Sequence, residues 1–330
     1  MSESILVIVE HADGKVRRGS YETLGLARRI AEPAGARVAA VVLGSDTASL
    51  ASEVASRGAD VTYAVEHAQL GTFTPDAYRP PLVELIRETT PEWVLMAHTY
   101  LAQDLLPLVA ASFGAPILSD CVDAEVDGFA VTFLRQPYDA KFVARMVDRG
   151  AAPRFATLQS GAFPAEGLPE GHGGEIVTRE TGLSEDGLRR RVVETRSTGG
   201  GTVDLGAAEI VVAGGRGLQD KEKFEEIVCG LADLLGAGVG ASRPVVDSDW
   251  LPHEHQIGSS GQIVAPRLYI ALGISGAIQH VVGIRGAQVI VAINKDKDAP
   301  IFNEATYGIV GDVFEVGPEL IKAIEEARQG

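Results

Sequence analysis

The residues whose types and spacing suit chemistry crowd into the second half of the chain, just after aliphatic runs that read as strands. After a predicted strand over Glu209 to Ala213 comes Gly214-Gly215-Arg216-Gly217. Here glycines admit close backbone approach to a ligand, and Arg216 offers a planar fork suited to phosphate. The same string also fits an ordinary Gly-rich turn. Val239-Gly240-Ala241-Ser242-Arg243-Pro244 ends a run of small residues in a cation, which serves a ligand or a surface salt bridge equally well. The segment Gln256-Ile257-Gly258-Ser259-Ser260-Gly261-Gln262 packs hydroxyls, amides and glycines together, as a polar ligand site or a solvated loop would. His253-Glu254-His255 lacks an evident third metal ligand and reads as an exposed loop.

The sharpest feature is Leu268-Tyr269-Ile270-Ala271-Leu272-Gly273-Ile274-Ser275-Gly276-Ala277-Ile278-Gln279-His280. A strand ends in a Gly and Ser turn, and a helix is expected over Ser275 to Val282, aiming amides and a helix dipole at one point where an anionic group belongs. His280 would lie one turn inside that helix, as a packed histidine or a ligand contact. A strand over Val289 to Ile293 then ends in Asn294-Lys295-Asp296, and Tyr307 to Val310 ends in Gly311-Asp312. An amide and a carboxylate at such ends can hold sugar hydroxyls or phosphate-bound water. G-x-S-x-G, H-E-x-x-H and P-loop motifs are absent, so the second half reads as a cradle whose bound cofactor would carry the reaction.

In doubly wound sheets ligands lie beyond the carboxyl ends of the strands, so these residues require a parallel α/β framework. The second half supplies one, with helices expected over Lys221 to Leu235 and Pro318 to Ala327 between and after its strands. The first half alternates in the same way: Ile5 to Val9, Tyr21 to Ala31, Val38 to Leu43, Ala48 to Arg57, Val61 to Val65, Pro81 to Glu88, Trp93 to Ala97. After Ala115 the pattern loosens, and strands at Ala130 to Leu134 and Phe142 to Val147 suggest an added antiparallel piece. With 330 residues the chain exceeds one ordinary core. The expected organisation is an α/β domain over 1–195, a Gly and Thr linker over 196–204, and a doubly wound domain over 205–330.

A formal charge of −16 repels polyphosphate backbones and argues against nucleic acid. The start of the chain carries no basic n-region and no apolar run reaches spanning length, which is expected of a cytoplasmic protein without membrane insertion. Cys121 and Cys229 lie far apart and read as buried small hydrophobes.

The stretch Leu268 to Phe302, with Ile274-Ser275-Gly276-Ala277-Ile278-Gln279-His280 and Ala292-Ile293-Asn294-Lys295-Asp296, closely resembles the electron transfer flavoprotein alpha-subunit family. The likeness runs less tightly through Gly214 to Leu218, Ser242 to Pro244, Gln256 to Gly261 and Tyr307 to Asp312. It implies an FAD-binding second domain, with Arg216, Ser242, Arg243, Ile257, Gly258, Ser259, Ser260, Ser275, Gly276, Ala277, Ile278, Gln279, His280, Asn294, Asp312 and Val313 facing the cofactor. It implies that Arg243 sits near the isoalloxazine, where its charge favours the reduced flavin, with Ser260 near the N5 edge and His280 toward the pyrimidine carbonyl side. A beta subunit would complete a heterodimeric electron carrier rather than a conventional enzyme. Dehydrogenases such as those acting on acyl-CoA in fatty acid β-oxidation would be donors, and a quinone-linked oxidoreductase the acceptor. An NADH-linked bifurcating assembly, or a non-catalytic nucleotide-binding module, is the alternative. The resemblance also suggests that the second domain pivots at Gly199-Gly200-Gly201. Where the family often reads Gly-Gln-Thr-Gly-Lys, this chain has Gly258-Ser259-Ser260-Gly261-Gln262, which shortens an amide to a hydroxyl and removes a cation, so its flavin potential is expected to differ.

Overall fold

The computed structural model describes residues 3–165, 167–184, 187–190, 192–195, 205–206 and 208–329. The expected linker 196–204, with Gly199-Gly200-Gly201, lies outside them. Two compact units emerge, Met1–Arg196 and Ser197–Gly330.

In the first unit the strands are β1 (Glu3–Ile8), β2 (His11–Ala12), β3 (Lys15–Val16), β4 (Arg37–Gly44), β5 (Val61–Glu66), β6 (Trp93–Ala97), β7 (Ile117–Asp127), β8 (Ala130–Arg135), β9 (Ala144–Val147), β10 (Arg154–Leu158) and β11 (Glu175–Glu180). β2 and β3 form a separate hairpin, and the others make one sheet in the order β11-β5-β4-β1-β6-β10-β7-β8-β9. Its central strands are parallel and aliphatic on both faces: Ile5 and Val7 join one core, Leu6 and Ile8 the other. That two-sided burial is why such strands read as unbroken apolar runs. Helices Arg18–Ala34, Ala48–Ser56, Pro75–Thr89 and Tyr100–Ala111 cross between strands. Thr74 and Thr99 start the last two by accepting from the amides of Ala77 and Ala102. β8 and β9 continue the sheet antiparallel, as the loosened pattern suggests, although β9 begins at Ala144 rather than Phe142.

The second unit holds β12 (Ile210–Gly214), β13 (Gly238–Ala241), β14 (Leu268–Leu272), β15 (Val289–Asn294) and β16 (Tyr307–Val310), in the order β13-β12-β14-β15-β16. All four pairings are parallel. Because β13 lies on one side of β12 and β14 on the other, the chain reverses direction at β12. The crevice this opens at the carboxyl ends of β12 and β14 is where open α/β sheets take ligands. Val211, Ala213, Tyr269 and Ala271 face one core; Val212, Ile270 and Leu272 face the other, under the helical stretch Lys221–Leu235, whose middle, Glu225–Cys229, widens to a π turn.

In the second unit two helices differ from expectation. The helix over Ser275 to Val282 contracts to Ile278–Val281. Gly276 holds φ +82°, a left-handed conformation that no right-handed helix contains, and a Cβ there would lie 2.2 Å from Ile301 N. The last helix begins at Val313 rather than Pro318, because Asp312 Oδ1 accepts from Phe314 N at 3.0 Å and its carbonyl accepts from Val316 N at 2.9 Å.

Candidate functional site

A cavity of about 710 Å³ opens along the carboxyl edge of the second sheet. Every strand of that sheet contributes the residues that follow it: Arg216, Gly217 and Gln219 after β12; Ser242, Arg243 and Pro244 after β13; Gly273, Ile274, Ser275 and Ala277 after β14. Asn294 and Lys295 come from the end of β15, and Asp312, Val313 and Phe314 from beyond β16. The segment Gln256, Ile257, Gly258 and Ser260, together with Gln279 and His280, completes the wall.

Backbone hydrogen bonds stitch these ends together. Gly215 N donates to Leu272 O at 2.9 Å, Gly217 N to Gly273 O at 3.2 Å, Ser242 N to Gly214 O at 3.0 Å, Gly273 N to Ile293 O at 3.0 Å and Gly311 N to Asn294 O at 3.1 Å. The first two contacts require glycine. A Cβ on Gly215 would stand 2.3 Å from Gly273 O, and one on Gly217 2.7 Å from the same atom. The glycines of the Arg216 turn therefore let two strand ends touch while their surface stays open to the cavity.

Of the residues expected to face a cofactor, Arg216, Ser242, Arg243, Ile257, Gly258, Ser260, Ser275, Ala277, Gln279, His280, Asn294, Asp312 and Val313 line this cavity. Ser259, Gly276 and Ile278 do not. Ser259 donates its amide to Gln279 O at 2.7 Å and so ties the wall from behind; Ile278 is 45% exposed on the outside of its short helix. Gly217, Gln219, Pro244, Gln256, Gly273, Ile274, Lys295 and Phe314 line it in addition. Gly217, Gly273 and Lys295 border strand ends and follow from the strand-end rule. Gln219, held at φ +67°, carries no sequence signal, since only the fold imposes that uncommon non-glycine conformation.

The polar groups divide into two sets. Some are used by the fold: Asn294 Nδ2 donates to Ile274 O at 2.9 Å while its Oδ1 accepts from Asp296 N at 2.9 Å, Asp312 caps the last helix, and Gln256 Nε2 donates to Ser260 Oγ at 3.0 Å. Others remain open. Arg216 and Lys295 are exposed and make no ion pair among the described residues. Arg243 pairs with Asp247 at 3.3 Å, with 70% of its side chain exposed, a contact that contributes little in water. The amides of Ser275, Gly276 and Ala277 find no acceptor among the described residues, so the loop rather than a helix dipole supplies donors for an anion.

His280 is the buried titratable group of the wall. Its Nε2 lies 2.9 Å from the Tyr269 hydroxyl, whereas Nδ1 is buried and makes no hydrogen bond of good geometry. Burial pushes its pKa down to about 4, opposed only in part by the backbone of Ile257, so the ring is neutral near pH 7. Tyr269, wholly buried, is pushed well above the usual phenol range by the same desolvation.

Unpaired cations, free amides, an orphaned ring nitrogen and backbone-close glycines around a long cavity fit a dinucleotide with a pyrophosphate and a flat ring better than a small metabolite. Away from this edge, burial pushes the Cys121 thiol up to about 12 and raises that of Cys229; both thiols are free. His255 Nδ1 is hydrogen-bonded to Val239 O at 2.7 Å. Among the described residues no helix is long and apolar enough to cross a membrane.

Comparison with known proteins bears on both units. Residues 5–182 match the electron transfer flavoprotein domain, and residues 204–285 match the electron transfer flavoprotein FAD-binding domain. The chain is 35% identical over 327 residues to the electron transfer flavoprotein subunit alpha of Thermoanaerobacterium thermosaccharolyticum, covering 99% of each chain. It is 38% identical over 326 residues to the subunit alpha of Bacillus subtilis, covering 99% of this chain and 98% of that one. It is 34% identical over 352 aligned residues to the acryloyl-CoA reductase electron transfer subunit beta of Anaerotignum propionicum, covering 98% and 96%.

Proposed function

This chain belongs to the electron transfer flavoprotein alpha-subunit family, and from that premise we propose that it pairs with a beta subunit, holds FAD along the carboxyl edge of its second sheet, and carries electrons between a dehydrogenase and a membrane-linked acceptor. The observation that supports the site is the coincidence of the cavity with the ends of all five strands in the FAD-binding unit. FAD supplies the electron-accepting ring. The chain supplies everything that holds and biases it.

Arg216 and Lys295 are the unpaired cations available to the pyrophosphate, and the amides of Ser275 to Ala277 are the donors available to its oxygens. Arg243, whose bond to Asp247 is weak and exposed, is free to turn toward added negative charge on the isoalloxazine and so to favour reduction. Ser242, Ser260 and Gln279 offer hydroxyl and amide groups to the sugar, ribityl and ring edges, while Ile257 and Val313 give apolar contact. Asn294 and Asp312 act through the wall, since their side chains are already engaged.

Acyl-CoA dehydrogenases are the donors this reading favours, and a quinone-linked oxidoreductase the acceptor, with the exchange taking place in the cytoplasm. The relative named as an acryloyl-CoA reductase electron transfer subunit supports an electron-transfer role for such a pair; in a second reading, the pair takes electrons from NADH on a further flavin. Copurifying the chain with its beta subunit and recording the visible spectrum tests the main proposal; a colourless pair that added FAD does not turn yellow sinks it. Reduction by NADH, together with two flavins per pair rather than one, would select the second reading.

A further inference from the structure

The chain finishes the two edges of its second sheet differently. At one edge, β13 has its outward acceptors met by a neighbouring loop: Val239 O is hydrogen-bonded to His255 Nδ1 at 2.7 Å, and Ala241 O accepts from Ile257 N at 2.9 Å. An isolated bridge between Ala241 and Gln256 closes that side. At the other edge, β16 pairs with β15 alone, and all four of its residues are exposed. Tyr307 is 65%, Ile309 38% and Val310 59% exposed, in a parallel sheet whose other strands are largely buried, as parallel strands ordinarily are.

The ladder fixes which backbone groups of β16 are open. Gly311 N donates to Asn294 O at 3.1 Å, which aims the amide of Gly311 at β15. Strand geometry repeats every two residues, so Ile309 and Tyr307 aim their amides the same way, and Gly308 and Val310 turn their N–H and C=O groups outward. Neither of these two finds a partner outside the sheet among the described residues. The run Thr306-Tyr307-Gly308-Ile309-Val310-Gly311 holds no charge and no proline, and β16 keeps an unbroken register with β15. It therefore lacks the devices that keep a bare edge from pairing.

We propose that β16 is a docking edge on which an extended segment of the beta subunit adds as a further strand, an inference that rests on the pairing proposed above. Size selects this occupant. A stable interface takes about 20–30 residues a side, whereas β16 offers 4, so a second copy of the chain meeting it edge to edge would not hold. A segment of a subunit already paired with this chain is present at high effective concentration and needs only the short ladder. Gly308 and Val310 supply its backbone hydrogen bonds. Tyr307 and Ile309 on one face, with Val310 on the other, call for apolar side chains on both faces of the incoming strand. Because Gly311 leads straight from β16 into Asp312 and Val313, which line the cavity, the added strand braces that end of the wall.

The test is amide hydrogen exchange, read by NMR on the full-length nitrogen-labelled chain paired with its unlabelled beta subunit. Gly308 and Val310 should exchange about tenfold or more slowly than open amides, alongside Ile309. Open-amide rates at both, with Ile309 still protected, overturn the proposal. Protection that appears only when light scattering shows two pairs associated overturns it too, because a second copy then covers the edge. Val310→Pro removes an outward donor and no bond to β15; it should weaken the pair about two- to tenfold, the range for one hydrogen bond, and Val310→Ala, which keeps the amide, should weaken it less. Equal effects of the two substitutions count against the added strand, and if Val310→Pro does not fold, the exchange rates of the unsubstituted pair decide. A chain that forms no pair defeats the functional reading along with this one, whereas a yellow pair with an open edge defeats this inference alone.

Discussion

Replacing Gly276 with alanine adds one methyl group at the tighter of the two glycines in the loop that borders the cavity. The new Cβ would lie 2.2 Å from Ile301 N, 2.5 Å from Ile301 Cα and 2.9 Å from Ile301 Cβ. Two of those atoms are backbone, so no side chain can swing aside, and the Ile301 N to Ser275 O bond of 3.1 Å holds the two segments together. Alanine at φ +82° costs about 1 kcal/mol. Overpacking costs about 1–3 kcal/mol and the strained hydrogen bond about 1 more. The total, ~3 to 5 kcal/mol, is a large share of a domain's stability. Gly128, in the turn between β7 and β8, is the internal control: its φ is +56°, but nothing lies within 4 Å of an added Cβ. Urea unfolding of the subunit pair should show Gly128→Ala losing about 1 kcal/mol and Gly276→Ala several times that, with unchanged m-values. FAD titration should show binding weakened about tenfold or more by Gly276→Ala alone, because the donor amides beside it must move. If Gly276→Ala is as mild as Gly128→Ala, the account of this loop is wrong.

Three further outcomes follow from the same geometry. The His280 pKa, depressed from 6.5 to about 4, means the folded ring resists a proton that the unfolded ring accepts; stability should be full above pH 6.5 and fall toward pH 4 by at most roughly 3 kcal/mol. His280→Gln should remove that part of the acid slope in denaturant melts, and an identical slope in both proteins would contradict it. Arg216→Ala should leave stability unchanged, weaken FAD by about 1–2 kcal/mol, roughly five- to thirty-fold in Kd, and flatten its salt dependence. Equal affinity at low and high salt for both forms would remove Arg216 from the site. Ser260→Ala should alter flavin affinity or potential, whereas Ser259→Ala should not, since only Ser260 lines the cavity; the reverse pattern would show that the wall is drawn wrongly.

Much of the framework is legible because parallel strands buried on both faces advertise themselves. Ile5 to Val9, Val38 to Leu43 and Val289 to Ile293 are nearly unbroken aliphatic runs, and the cavity residues follow such runs directly. Strands that lack that signature escape the pattern. β13 is Gly238-Val239-Gly240-Ala241, in which only Val239 favours a strand, and it is fixed by pairing to β12 and by Ile257, whose Cδ1 would lie 2.3 Å from a Cβ on Gly240. β11 runs at the sheet edge with alternate residues exposed and mostly polar, and β10 sits between Gly- and Pro-rich segments. The helix expected at Ser275 fails for a reason no window of residues reveals, because the left-handed turn at Gly276 is imposed by Ile301, distant along the chain. Gln219 and Phe314 reach the cavity from five and four residues past their strands, further than Arg216 and Asp312 at two.

The engagement of Asn294, Asp312 and Gln256 with their own chain bears on the life of the carrier. Those contacts belong to the sheet ends and to the last helix, so they persist whether or not a flavin is seated. A molecule stripped of its flavin should therefore keep the part of the wall that these contacts hold, and refilling it should not require the sheet ends to be rebuilt. Loss of the coloured group is then a reversible event, repaired by mass action from the free pool.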